Sequence, residues 1–166
     1  MINHTGFLTD KDIRGQCGPS QYEQLIENYD ERCQLAISYK LRLADYYRED
    51  IYWSPLPVNV GKKNWYYEEW LGEKEKVLLA PGGSILATTV EKINLGYYDA
   101  AYIMGEDSLM RTCIVVQPRL LSPGFKGFPM LLITNMGSTH AGLEIGNCIA
   151  QIVFYRLSVR PGELDW

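Results

Sequence analysis

The residues best suited to chemistry fall in three short stretches. In the first, Glu106 and Asp107 are adjacent carboxylates, followed by Ser108 and then Arg111. Carboxylates side by side could hold a divalent cation, while a hydroxyl and a guanidinium suit an anion such as a phosphate. The simpler reading of Glu106 and Asp107 is a solvated turn, and it is preferred here, so no metal is assigned. The second stretch, Ser122-Pro123-Gly124-Phe125-Lys126-Gly127, is a Pro-Gly turn carrying an aromatic and a base. The third, Gly146 to Phe154, is a loop glycine feeding an apolar run with one amide, Gln151, in its middle. Gln151 could bond a phosphate, or backbone across a subunit boundary, or satisfy a buried polar ladder; the last is favoured. Lys62 and Lys63 beside Trp65, Tyr66 and Tyr67 could hold phosphate and stack a base, but a surface hairpin with its aromatics turned inward is preferred. His140, in the turn 138–142, reads as a surface residue.

Several elements must position these groups. Thr9 or Asp10 caps a short helix running through Asp12 and Ile13, with Gly15 and Gly18-Pro19 as breakers. Ser20, with Glu23 three residues on, predicts a second helix whose apolar face is Tyr22, Leu25 and Ile26. Residues 1–30 are thus expected to be a helical segment. From Gln34 to Leu43 the period is two, with Leu35, Ile37, Tyr39, Leu41 and Leu43 on one side. Residues 46–72, rich in Tyr and Trp and broken by Pro55, Pro57 and Gly61, read as a loop-rich insertion. Val77–Leu79, the turn Ala80-Pro81-Gly82-Gly83 and Ser84–Val90 predict strand, tight turn, strand. Tyr97–Met104, Cys113–Gln117, Met130–Thr134 and Ile149–Tyr155 add four more strands. The result is one all-β domain, residues 1–166, mainly β with short N-terminal helices, of barrel or jelly-roll type.

Composition narrows the function classes. The 166 residues suit a single core, and 46% hydrophobic with 22% charged residues is ordinary for a globular chain. A net charge of −4 argues against a nucleic-acid polymer or an anionic membrane as partner. Cys17, Cys33, Cys113 and Cys148 form no CxxC pair and lie far in sequence from His4 and His140, so no zinc site is expected. Cys113 and Cys148 read as small buried hydrophobes, and reduced thiols fit a cytoplasmic setting. No run approaches the apolar length of a membrane span.

Read in order, these stretches resemble the dUTPase and dCTP deaminase superfamily, and bacterial dCTP deaminases most. Phe7–Ile13 is similar to that family's opening helix. Ser38-Tyr39-Lys40-Leu41-Arg42-Leu43 resembles its Ser-Tyr-Asp-Leu-Arg-Leu motif. Leu79-Ala80-Pro81-Gly82 with Leu86-Ala87-Thr88-Thr89-Val90-Glu91 resembles its Pro-Gly turn and LATTxE strand. Gly105–Arg111 falls where the family has Gly-Arg-Ser-Ser-Leu-x-Arg. The resemblance implies a dUTPase-like distorted β-barrel (β-clip) and a homotrimer with sites between subunits. It also implies ligand-binding roles for Ser108, Arg111, Gln151, Phe125 and Lys126.

Other positions depart from the pattern. The family's Arg is Glu106 and its first Ser is Asp107, so two carboxylates would face the phosphates. At about 4 Å a like-charge pair costs on the order of several kcal/mol at an intermediate dielectric. The family's acid/base Glu falls at Leu132, and the dUTP diphosphatase Asp near Ser122; neither side chain here moves a proton. The motif Asp is Lys40. The favoured expectation is therefore a dCTP-deaminase-like protein that has lost catalysis. It would bind a nucleotide-like ligand or a protein partner as a regulatory module, in a setting such as a phage or mobile element, without a cofactor. The alternatives are an active dCTP deaminase or dUTP diphosphatase using Asp107, Glu106 and Arg111, with magnesium if it binds nucleotide, and a structural trimer that docks a partner through the Tyr/Trp-rich insertion.

Overall fold

The structure, a computed structural model, describes residues 5–18, 21–49 (side chains through Ala44) and 76–162. The expected insertion lies outside the described residues from residue 50 onward. Thirteen strands and two short helices are defined among the described residues. In chain order they are β1 (Gly6–Phe7), α1 (Asp10–Cys17), β2 (Ile26–Glu27), β3 (Tyr39–Glu49), β4 (Lys76–Leu79), β5 (Ser84–Thr89), β6 (Lys92–Asn94) and β7 (Asp99–Gly105). They continue with α2 (Asp107–Met110), β8 (Ile114–Val116), β9 (Arg119–Leu121), β10 (Lys126–Gly127), β11 (Met130–Asn135), β12 (Ala141–Glu144) and β13 (Cys148–Arg156).

One sheet carries most of the molecule, in the order β8-β11-β5-β3-β13-β7-β9, with β1 added to β13. Its neighbours are antiparallel. Alternation sets its two faces. Ile85, Ala87 and Thr89 of β5 and Leu131, Ile133 and Asn135 of β11 are buried, while Leu132 and Met130 point outward. Tyr39, Leu41 and Leu43 of β3 and Ile152 and Phe154 of β13 are sealed in the core. Two small sheets, β10-β6-β2 and β12-β4, complete the curled β architecture.

The first helix forms as expected. The Asp12 carboxylate accepts from the Thr9 N–H at 2.9 Å and from the Thr9 hydroxyl at 2.8 Å, and Ile13 and Cys17 are buried. Gly15 lies inside this helix rather than ending it; Gly18 is the C-cap.

Other expectations need correction. The second helix does not exist among the described residues. Ile26 pairs with Ile93 across β2 and β6, and Tyr22 is fully exposed. Sheet pairing, not a helical stripe, buries Leu25 and Ile26. The strand expected from Gln34 begins at Tyr39, after a 3-10 turn at Glu31–Cys33, and Ile37 is exposed. It runs on to Glu49 past a register shift between Leu43 and Tyr47, so residues 46–49 belong to β3. Around the Pro-Gly turn, β4 and β5 do not pair with each other. β4 joins β12, a strand absent from the expectation, and β5 joins β11 and β3. Cys113 is exposed, with φ 59°, and not a core residue.

Candidate functional site

The site grows from the exit of β7 and the start of α2. The Glu106 N–H donates to Ile149 O of β13 at 3.1 Å, which fixes the chain direction as it leaves the sheet. Glu106 is then the N-cap of α2, its carboxylate accepting from the Ser108 N–H at 2.7 Å. The Ser108 hydroxyl donates to the same oxygen. Across the sheet, Lys40 of β3 reaches the other oxygen at 3.0 Å. Glu106 is only 7% exposed. The Ser108 hydroxyl, then the Ser108 N–H and Lys40, hold its carboxyl below the ordinary glutamate value against the opposing effect of burial. Glu106 in turn raises Lys40.

This corrects the expectation of a solvated turn with two carboxylates on one surface. Glu106 turns inward and is neutralised, and only Asp107 remains exposed. Of the two carboxylates expected to face a phosphate, the Glu106 charge is balanced by Lys40 and the Ser108 donors. Lys40 and Glu106 were each legible as departures from the motif pattern. Their signs reverse together, and that was the signal in the sequence that the two side chains meet.

Arg111 is exposed at the C-cap of α2, one turn from Ser108. Gln151 sits opposite Lys40 on β3 and opposite Met104 on β7. Its side-chain oxygen accepts from the buried Ser38 hydroxyl at 3.2 Å, a partner within the same chain. A cavity of about 270 Å³ adjoins α2, lined by Ser108, Leu109, Leu143, Asn147, Cys148 and Ile149 among others.

Phe125 and Lys126 make their contacts elsewhere. Phe125 packs against the core with Arg119 over its ring at 5.8 Å. Lys126 pairs with Glu23 at 2.7 Å and stands in register with Asn94. Ser122 is exposed and closes the Pro-Gly turn by accepting from the Phe125 N–H at 3.1 Å. Leu132, on the outer side of β11, is 38% exposed beside Leu86.

Sequence reasoning missed the most enclosed charges. Arg42 donates from its backbone N–H and its Nε to the two oxygens of Glu91, at 2.9 and 2.6 Å, and Glu91 is fully buried. The same guanidinium meets Asp30 at 3.3 Å and Asn28 O at 2.8 Å. Both Arg42 and Glu91 stand in quoted motifs, and the one sign that they pair was their opposite charge. Asp99 and Arg156 form a second such pair, bidentate at 2.6 and 3.0 Å across β7 and β13.

With this geometry in place, known proteins can be compared. A family model described as dCTP deaminase-like matches residues 7–157. The dCTP deaminase, dUMP-forming, of Streptomyces avermitilis is 30% identical over 163 residues, covering 96% of this chain and 84% of that protein. The dCTP deaminase of Natronomonas pharaonis is 34% identical over 98 residues, 58% of this chain and 50% of that protein. The chain thus spans about half the length of some curated relatives and most of another. The crystal structure of 2'-deoxycytidine 5'-triphosphate deaminase from Agrobacterium tumefaciens superposes with a TM-score of 0.71 at 18% identity, covering 92% of this chain and 49% of that one. At that identity the likeness speaks for the fold. No helix among the described residues is long and apolar enough to cross a membrane. The chain belongs to the dCTP deaminase-like family.

Proposed function

We propose that this chain keeps the family scaffold without its usual catalysis and acts as a regulatory module that binds a nucleotide-like ligand or a protein partner. One observation carries the reading. The Ser108 N–H, the Ser108 hydroxyl and the Lys40 ammonium all converge on the Glu106 carboxylate. The Ser108 donors, which the family resemblance assigns to phosphate, are satisfied inside the protein, together with a lysine that stands where the resemblance places an Asp. Leucine at 132 and an exposed serine at 122 supply no proton-transfer group where the resemblance places one. The ligand contacts left for a binding role are Arg111 and Asp107 at the exposed end of α2 and the cavity beside Ser108.

The assembly we expect is the homotrimer implied by the resemblance. Exposed Phe7, Tyr102, Leu120 and Tyr155 on one side of β1-β13-β7-β9 supply apolar surface for it. A sedimentation mass of one chain would count against that assembly.

The decisive experiment incubates the protein with dCTP and with dUTP plus magnesium and follows the products by chromatography. No turnover is expected. A thermal-shift screen of nucleotides then separates ligand from protein partner, because a ligand of the folded state raises its stability by mass action. The active-enzyme reading is favoured by the dUMP-forming dCTP deaminase of Streptomyces avermitilis, which is similar over nearly the whole chain. Turnover that Asp107→Ala abolishes would establish that reading in place of ours.

A further inference from the structure

A cavity of about 740 Å³ opens between the segment 21–28 and β10, lined by Gln21, Tyr22, Glu23, Gln24, Glu27 and Lys126 among others. It shares no lining residue with the cavity beside Ser108. Its amides are pinned in one sense. Gln21 Nε2 donates to Gly15 O at 3.0 Å, Gln24 Nε2 to Cys17 O at 3.0 Å, and Asn28 Nδ2, also at the cavity, to Val90 O at 2.9 Å. Behind them Asn94, 6% exposed and in register with Lys126, donates from Nδ2 to Gln24 O and to Glu27, each at 2.9 Å. A main-chain carbonyl only accepts, so these partners fix which end of each amide is the NH2. Each amide turns its donors into the protein and leaves its oxygen over. The Asn94 Oδ1 is buried with no partner among the described residues.

The charges around the cavity keep that balance. Lys126 is held by Glu23 at 2.7 Å and Lys92 by Glu27 at 2.8 Å. Lys92 and Asn94 meet the same oxygen of Glu27, Oε1, so Oε2 is left as an acceptor among the described residues. Lys92, then Asn94, hold the Glu27 carboxyl below the ordinary glutamate value, and it stays charged. Tyr22 stands fully exposed at the same cavity. We propose that this cavity binds a small organic polyamine, whose ammonium groups bond to Glu27, Glu23 and the amide oxygens while one of them lies over the Tyr22 ring. The lining offers acceptors, so the ligand brings the donors. An anion would meet two carboxylates, and a neutral polyol would find both lysines already taken. An ammonium over an exposed tyrosine gains a cation–π attraction. The net charge of −4 draws a cation from a distance.

The test titrates the full chain with spermidine by isothermal calorimetry at low salt, with glucose as the neutral probe. Saturable binding of spermidine, weakened by added salt, and none of glucose are expected. Glu27→Gln keeps the shape of the side chain and removes its charge, and should raise Kd about tenfold. Tyr22→Ala should raise it about threefold. Lys126→Ala frees Glu23 and should lower it. In the unaltered chain, the backbone amide shifts that spermidine induces by nuclear magnetic resonance should centre on residues 21–28 and Lys126, which decides the matter even if a variant folds poorly. No binding, shifts centred elsewhere or spread over the acidic surface, equal affinity in Glu27→Gln, looser binding by Lys126→Ala, or binding of glucose as well would each overturn the proposal. The turnover assays with dCTP and dUTP do not bear on this cavity, so the two readings fail separately.

Discussion

Two ion pairs hang from β3 two residues apart, and they answer different needs. Arg42 and Lys40 project from the same side of the strand, and each meets a glutamate that follows another strand of the sheet, Glu91 after the adjacent β5 and Glu106 after β7, which lies beyond β13. The side chains of the first pair are 21% and 0% exposed, those of the second 31% and 9%. Arg42 spends its fork on three partners, Glu91, Asp30 and Asn28 O, and so joins β3, the turn after β5 and the segment before the 3-10 turn. Lys40 is a point charge with one carboxylate to satisfy. The pair that keeps the family pattern closes the fold, and the pair that departs from it sits at the site. Charges that tie several elements together are hard to exchange. A charge with a single partner can reverse, provided the partner reverses with it.

The comparison breaks first at Glu91. Replacing it by Leu leaves Arg42 enclosed without its main carboxylate and should cost about 3–5 kcal/mol by urea unfolding; a loss under about 1 kcal/mol would mean the enclosed pair is not what closes the sheet. Lys40→Met should cost less, about 1–2 kcal/mol, because Glu106 keeps two Ser108 donors. Adding Glu106→Gln to that variant should recover part of the loss, and a double-mutant cycle reads the coupling directly.

The third effect depends on pH. The Glu106 carboxyl is lowered in the folded protein from an unfolded value near 4.5. Its contribution is complete above that value and is lost as pH falls through the lower folded one. Glu106→Gln should therefore flatten the acid limb of stability measured from pH 6 downward, and an unchanged limb would show that Glu106 is not what titrates. The smallest effect is expected at the exposed pair Glu23–Lys126, 46% and 54% exposed. Lys126→Ala should lose the least stability of these variants by urea unfolding. A larger loss would blur the distinction between enclosed and exposed charges.

Much of the fold was legible because alternation is local. Ile85, Ala87 and Thr89, or Leu131 and Ile133, mark a buried face whatever they pair with. Thr9 or Asp10 marks a helix start from a few residues of sequence, and the structure gives the cap to Thr9. Residues 21–27 misled because Leu25 and Ile26 fit a helical stripe as well as a β ladder, and only the pairing of Ile26 with Ile93 distinguishes them. At the site, Ser108, Arg111 and Gln151 could be named from their surroundings in the chain. That the internal polar partner favoured for Gln151 is Ser38 could not.

By itself, then, the sequence determined the period-two strands, a helix cap at Thr9 or Asp10, the family pattern and the residues that depart from it. These follow from neighbours a few positions apart or from side-chain type alone. The tertiary structure decided which strands pair, that β4 leaves β5 for β12, and that Lys40 neutralises Glu106. Each of these joins residues far apart in the chain, where the geometry of sheet closure, not local preference, sets the distance and sequence alone has no measure of it.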